Sequence, residues 1–433
     1  MRRLIIHNLG PIDECEITCR PFMVLTGEQA SGKSTIAKAL YYFRTVKDDV
    51  FEEFLTKLPA NLKQENKPLI KDLRETLRRK FLRTFGYSVR EIRKGMRLRY
   101  FYTQEYSITV RLIVSKTSDR KILNVELSKP LTEAIAEYEK RIALETETLL
   151  IKKTFASIMS DLNQIFDDEH NTVYLPSGRS MLSFMSSYIR PLNIQGDIGL
   201  DYCTQKYIED ISNIRHELNG GLDGLMDYYS KGSNIPKSWL KALELIEKVL
   251  CGTYRIENGE ERIILNDGNY VRINFASSGQ QDALWITNLL FYYLVSLRPT
   301  MFIIEEPESH LFPSSQKHIM ELVSLVCNHG HSVLVTTHSP YVLGTLNNLL
   351  YASSFRRSDK DKREKASKII PASLWLDYDK FQAWFVKKGK IEDCMDCELK
   401  QIRNEVIDGI SDVINDDYDK LFDMNNQEED NAD

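Results

Sequence analysis

The residues with the clearest chemical purpose lie near the N-terminus, in Gly27-Glu28-Gln29-Ala30-Ser31-Gly32-Lys33-Ser34-Thr35, which fits the spacing GxxxxGK[ST]. Gly27 and Gly32 permit backbone angles that turn successive N–H groups toward one bound anion. A helix opening near Lys33 aims its positive end at the same anion. Lys33 neutralises β- and γ-phosphate charge, and Ser34 offers a hydroxyl to Mg²⁺. A second cluster stands far downstream: Thr300-Met301-Phe302-Ile303-Ile304 is an apolar run that ends in Glu305-Glu306-Pro307. Of these two carboxylates, Glu305 is the candidate ligand of the Mg²⁺ shell. Glu306 is the candidate base that orients and deprotonates an attacking water.

Two further segments fit the same chemistry. Ser277-Ser278-Gly279-Gln280-Gln281 precedes the apolar helical run that starts at Ala283, and small residues at a helix N-terminus make a second anion cradle. One subunit has no use for two phosphate cradles, whereas a head-to-tail pair does: each cradle closes on the γ-phosphate held by the other subunit. Val333-Leu334-Val335-Thr336-Thr337 then delivers His338 to the end of a buried strand, where an imidazole can meet the γ-phosphate and the water.

The flanking patterns predict the elements that position these groups. Arg2 to Leu9 and Ile12 to Cys19 read as strands joined at Gly10-Pro11, and Phe22 to Thr26 reads as a buried strand running straight into the phosphate loop. Ile36, Ala37, Ala39 and Leu40 give the following helix an apolar face. Ala283 to Leu297 is apolar over roughly 15 residues but includes Thr287 and Asn288. It is too short and too polar to span a bilayer and predicts a buried helix.

In this order, GxxxxGKS, SSGQQ, an apolar strand with Glu-Glu-Pro-Glu, and TTHS, the chain resembles the ABC-type ATPases of the SMC, RecF and overcoming-lysogenization-defect group. Glu305-Glu306-Pro307-Glu308-Ser309-His310-Leu311-Phe312-Pro313 and Tyr174-Leu175-Pro176-Ser177-Gly178-Arg179-Ser180 are especially similar to the last of these. The resemblance implies an α/β fold, an ABC-type P-loop ATPase head with a mixed sheet, flanking helices and an inserted helical or short coiled-coil domain. It implies ATP and Mg²⁺ as ligands. Ser278 and Gly279 would contact phosphate in trans, with Gln280 beside them, and Ser309 and His310 would lie at the seam of a homodimer. Gln104 is the candidate for a further metal-side glutamine. Glu305 stands where most relatives of the P-loop class carry Asp.

The chain divides into an ATPase lobe over 1–44, an inserted arm over 45–171, a helical subdomain over 172–250, a second ATPase lobe over 251–350 and an extension over 351–433. From Lys71 to Arg99 eleven basic residues face three acidic ones, a local net of +8 with Phe81, Phe85 and Tyr87 interleaved. Such a run suits contact with a nucleic-acid backbone; a solvated helix face and a patch for an acidic protein are the alternatives. Ile108–Val114 and Ile122–Leu127 predict a hairpin joined by 115–119, and Pro130 opens a helix reaching about Phe166, with an apolar stripe from Leu131 to Leu149. Helices broken at Gly220-Gly221 and at 232–236 fill 204–250, and a three-strand meander fills 253–275. Lys360–Lys368 reads as a polar loop, Phe381–Lys387 and Lys390–Asp393 as a closing hairpin, and 425–433 as an acidic tail. The overcoming-lysogenization-defect proteins carry a Toprim nuclease at this end, and the extension has neither the length nor a DxD pair for one. The resemblance therefore implies a separate nuclease subunit of HNH or Toprim type, as in the Septu, retron-associated and PARIS antiphage systems, on a dimer core that assembles further.

Bulk properties set the frame. The 433 residues carry a net charge of −5, so any nucleic-acid surface is a local patch. Seven cysteines argue for thiols in a reducing compartment, and the N-terminus turns polar too early for a signal peptide. A cytoplasmic protein is expected.

Overall fold

The computed structural model describes residues 2–56, 68–114, 120–145, 151–182, 199–257, 259–403, 409 and 414–422. In chain order the strands are β1 Arg3–Leu9, β2 Ile12–Thr18, β3 Phe22–Gly27, β4 Arg97–Phe101, β5 Ser107–Val114, β6 Lys121–Leu127, β7 Asn171–Leu175, β8 Thr253–Glu257, β9 Glu260–Ile264, β10 Tyr270–Arg272, β11 Thr300–Glu305, β12 Ser332–Thr337, β13 Phe381–Lys387 and β14 Lys390–Asp393, with a short pair after them. The helices are α1 Lys33–Arg44, α2 Val46–Thr56, α3 Leu69–Phe85, α4 Lys129–Glu145, α5 Ile151–Ile165, α6 Tyr202–Ile214, α7 Gly221–Ser230, α8 Lys237–Leu250, α9 Ser278–Ser296, α10 Pro313–Asn328, α11 Pro340–Ser353 and α12 Lys360–Ile369.

A six-stranded sheet in the order β14-β13-β3-β12-β11-β7 carries the candidate site. Its strands are parallel except for β14, so β3, β12, β11, β7 and β13 all end on one edge. Alternation along these strands feeds two cores. Phe22, Val24, Val173, Leu175, Phe302, Ile304, Val333 and Val335 face α6 to α11. Met23, Leu25, Tyr174, Met301, Ile303 and Leu334 face α1 and an antiparallel sheet ordered β2-β1-β4-β5-β6. Helix α9 is buried along most of its length, including Thr287 and Asn288. Among the described residues no helix is long and apolar enough to cross a membrane.

Two segments depart from the sequence reading. The hairpin β5–β6 belongs not to an arm but to the antiparallel sheet, where β4 pairs with β1 from Arg3↔Phe101 to His7↔Arg97. Its buried Ile108, Val110, Leu123 and Val125 need that cover. Lys360–Lys368 is the helix α12 rather than a loop, opened by the Asp359 side chain capping Lys362 N–H and lined by Lys360–Glu364 and Lys365–Asp361 pairs one turn apart. The closing hairpin of β13 and β14 forms over the expected residues, and what the sequence did not specify is its place, with β13 the parallel neighbour of β3. The linker 115–119, the stripe toward Leu149 and the tail 425–433 lie outside the described residues.

Candidate functional site

The strand edge gathers the chemistry. β3 ends at Gly27, whose φ is +139° and where an added Cβ would stand 2.3 Å from the Val386 carbonyl oxygen of β13. Only glycine fits there, because both the angle and the space exclude a side chain. Ala30 and Gly32 also have positive φ, at +58° and +108°. Lys33 opens α1, is 5% exposed, and donates from Nζ to the carbonyls of Gly27 at 2.9 Å and Glu28 at 2.8 Å. Ser34 is exposed at the same turn, and Thr35 follows it, half-buried. Of the loop residues between, Glu28 and Gln29 are exposed, and Glu28 pairs with Lys387 of β13 at 3.4 Å.

His338 stands 3.4 Å from Lys33 through Nδ1, which therefore accepts, and its Nε2 lies 3.5 Å from Glu306 Oε1. A chain Lys33–His338–Glu306 thus spans the ends of β3, β12 and β11. Burial pulls the Lys33 ammonium down from 10.5 to about 8, against the opposing pull of Glu306 and Glu308. The backbone at Glu306 is left-handed, φ +44°, and its N–H continues the ladder to Thr336 O at 2.9 Å. Glu308 caps the neighbouring strand end by accepting from Thr337 Oγ1 at 2.6 Å and His338 N at 2.9 Å.

Glu305 is 4% exposed. Its Oε2 accepts from Ser177 N at 3.2 Å, while Oε1 is buried without a hydrogen-bond partner. An orphaned carboxylate oxygen beside a phosphate loop fits a hard divalent cation, so Glu305 and the Ser34 hydroxyl are the residues that would hold Mg²⁺. Gln104 is not brought to them. It is exposed in the β4–β5 turn, next to Phe101, which pairs with Arg3 at the far end of β1 from Gly10 and Thr35. The residue that the fold sets beside Glu305 is Ser177, in the turn after β7, which periodicity alone does not distinguish from other loop serines.

The second cradle is an N-terminus built for stability as well as exposure. Ser277 caps α9, accepting from Gln280 N, while Gln280 Oε1 accepts from Ser277 N at 3.1 Å and Nε2 donates to Leu250 O at 2.7 Å. The Gln280 side chain is therefore engaged by the cap and by α8. Ser277 and Ser278 are exposed; Gly279 is buried, and a Cβ on it would meet His310 O at 2.6 Å. The sequence reading missed Arg179 and Asp282. Arg179 is fully buried and bonds the carbonyls of Pro176, Asp282, Glu305 and Glu306, and Asp282 accepts from His310 Nδ1 at 2.5 Å.

The basic run of 71–99 does not form one surface. Lys80 is buried against Asp49 at 2.5 Å, Arg93 pairs with Asp13 and Arg78 with Glu75. Of the interleaved aromatics, Phe81 is a core residue at 0% exposure, and Phe85 and Tyr87 are half-buried, so they form no open stacking platform for bases. Lys71, Arg79, Arg83, Arg90, Lys94 and Arg97 remain exposed.

A phosphate loop at the end of a parallel strand, two carboxylates at the end of another and a histidine between them make this an ABC-type P-loop ATPase head. The chain belongs to the AAA ATPase domain family, whose family model matches residues 1–343. Among solved structures it is similar to an SMC head bound to the C-winged helix domain of ScpA, at 16% identity over 79% of this chain and 90% of that one, with a TM-score of 0.39. It is similar also to an SMC head with an extended coiled coil bound to the C-terminal domain of ScpA, derived from Pyrococcus furiosus, at 13% identity over 90% and 96% and a TM-score of 0.38. A third is the SMC head domain from Thermotoga maritima, at 12% identity over 79% and 90% and a TM-score of 0.33. No curated protein matches the chain.

Proposed function

We propose that the protein hydrolyses ATP at the Lys33–His338–Glu306 edge, in a homodimer whose facing subunit contributes Ser278 and Gly279 to each site. The observation that carries this is the chain of contacts from Lys33 Nζ through His338 to Glu306 Oε1. Lys33 exchanges the Gly27 and Glu28 carbonyls for phosphate oxygens. Glu306 orients the water and takes its proton as the new P–O bond forms and the bond to the β-phosphate oxygen breaks. His338 steadies the γ-phosphate side of the same water. Mg²⁺, when bound, offsets charge building on the phosphate oxygens. ATP closes the dimer and hydrolysis opens it, so the output is a conformational switch.

At the finer level, the switch restrains or licenses a separate nuclease subunit of HNH or Toprim type in antiphage defence. That reading rests on the likeness of 174–180 and 305–313 to such subunits. A DNA clamp in repair and an ATP-held scaffold are the competing readings. Three measurements separate them. Glu306→Gln is expected to bind ATP and dimerise but not turn over, whereas Lys33→Ala binds none; turnover by Glu306→Gln at the wild-type rate would sink the mechanism. A scaffold keeps its cellular function with Glu306→Gln. A clamp shows ATP-dependent, salt-sensitive DNA binding lost on reversing the charge of Lys71, Arg79 and Arg83.

A further inference from the structure

Arg179 sits behind the catalytic edge with no part of it in solvent. Burying a guanidinium is unfavourable unless its donors are satisfied, and four carbonyls whose positions matter accept from it. Nη1 donates to Pro176 O and Glu305 O, both at 2.6 Å, Nη2 to Glu306 O at 2.9 Å, and Nε to Asp282 O at 3.0 Å. One rigid fork therefore joins the turn after β7, the end of β11 and the first turns of α9. Asp282 returns the connection: its Oδ1 accepts from Ser180 N at 2.6 Å and its Oδ2 from His310 Nδ1 at 2.5 Å. Glu306 and His310, at the two ends of the loop so held, are both non-glycine residues in the left-handed region, at φ +44° and +58°. Such conformations persist only where the surroundings over-determine them.

We propose that Arg179 is a positioning residue that couples the second phosphate cradle of a subunit to Glu306 of the same subunit, with Asp282 and His310 completing the linkage. Ser278 and Asp282 lie one turn apart on α9, so a shift of the exposed cradle end carries the Asp282 carbonyl and carboxylate with it. The tight packing of Gly279 on His310 O leaves no slack between that turn and the loop. A partner's nucleotide that seats on Ser278 then reaches Glu306 through the guanidinium, and each base is set only when its own cradle is engaged. Lysine cannot replace the arginine, because a point ammonium has no planar fork to span carbonyls on three elements.

The inference rests on the ATPase reading, so the test has a readout independent of turnover. In the full-length protein with Mg²⁺ and ATP, wild type is expected to show slowed amide hydrogen exchange over 278–284 and 304–311. Arg179→Lys is expected to lose that slowing while 27–35 stays protected, and to lower kcat about tenfold or more with KM for ATP within about twofold. His310→Gln changes a side chain 58% exposed and leaves the core intact, so it covers the case in which Arg179→Lys does not fold; it is expected to give the same pattern in milder form. ATP-dependent slowing as large in His310→Gln as in wild type, or a loss of activity that appears only as a raised KM, overturns the coupling. A wild type that shows the exchange pattern without turnover overturns the ATPase reading and leaves the coupling standing.

Discussion

Lys33 illustrates how a single side chain sets a pH dependence. Its ammonium donates to two carbonyls and meets a histidine, but burial removes it from water and lowers its pKa to about 8. Because the folded value lies below the unfolded one, the unfolded chain binds more protons between about 8 and 10.5, and the ATP-free protein gains stability from this group as pH rises through that window. Nucleotide binding works the other way, since phosphate favours the charged form. ATP affinity is expected to be flat below pH 8 and then to weaken by up to about tenfold per unit. Titration calorimetry in buffers of different ionisation enthalpy checks this, and proton uptake near pH 8.5 is the expected sign; affinity constant from pH 7 to 9.5 refutes it.

Between elements, two joints decide stability. Helices α2 and α3 are linked by the buried Asp49–Lys80 pair, with Lys80 also on Thr45 Oγ1 at 2.8 Å. Lys80→Met, which leaves Asp49 buried and unpaired, is expected to cost about 3–5 kcal/mol, and Lys80→Met with Asp49→Leu to recover most of it, as read by urea unfolding. The second joint is β13 against β3. Val386 closes on Gly27, and Gly389 O accepts from Asp13 N at 2.8 Å and Glu14 N at 3.1 Å. A chain ended before Phe381, although it keeps every motif and the whole of 1–343, is expected to lose cooperative melting and ATP binding. These joints also mark where the sequence was opaque. The phosphate loop, Glu305, Glu306 and His338 could be read directly, because each sits at the end of an apolar run with a known spacing. Lys80 read as part of a basic surface because a one-dimensional charge count cannot see Asp49 across two helices. Gln104 read as a ligand because a turn glutamine has no pattern that reveals which end of a sheet it occupies. Arg179 stood inside a quoted motif, yet three of its four carbonyl partners, those of Asp282, Glu305 and Glu306, come from two distant segments that only folding brings beside it.

On the scale of the whole molecule, four of the exposed apolar side chains bear on assembly. Met181, Phe275, Phe312 and Tyr341 are 69%, 78%, 75% and 56% exposed, and each lies within three residues of Arg179, Ser278, His310 or His338. Large exposed aromatics cost free energy in water and mark surfaces that become covered. Each is a near neighbour in sequence of the strand edge or of the exposed start of α9, and a second copy facing that edge would cover them. Phe275 leads into the cradle and Phe312 opens α10 immediately after the loop of Glu306. Phe312→Asp and Phe275→Asp should therefore fold, since neither side chain supports the core, and should bind ATP in the monomer within about twofold of wild type. On the proposed dimer, both are expected to abolish the ATP-dependent association expected of Glu306→Gln, and turnover with it, because a charge at that seam would be buried without a partner. Sedimentation velocity with ATP and Mg²⁺ distinguishes the outcomes. A Phe312→Asp, Glu306→Gln double variant that still sediments as a dimer would place the interface on another face and detach the exposed cradle from the site it is expected to complete.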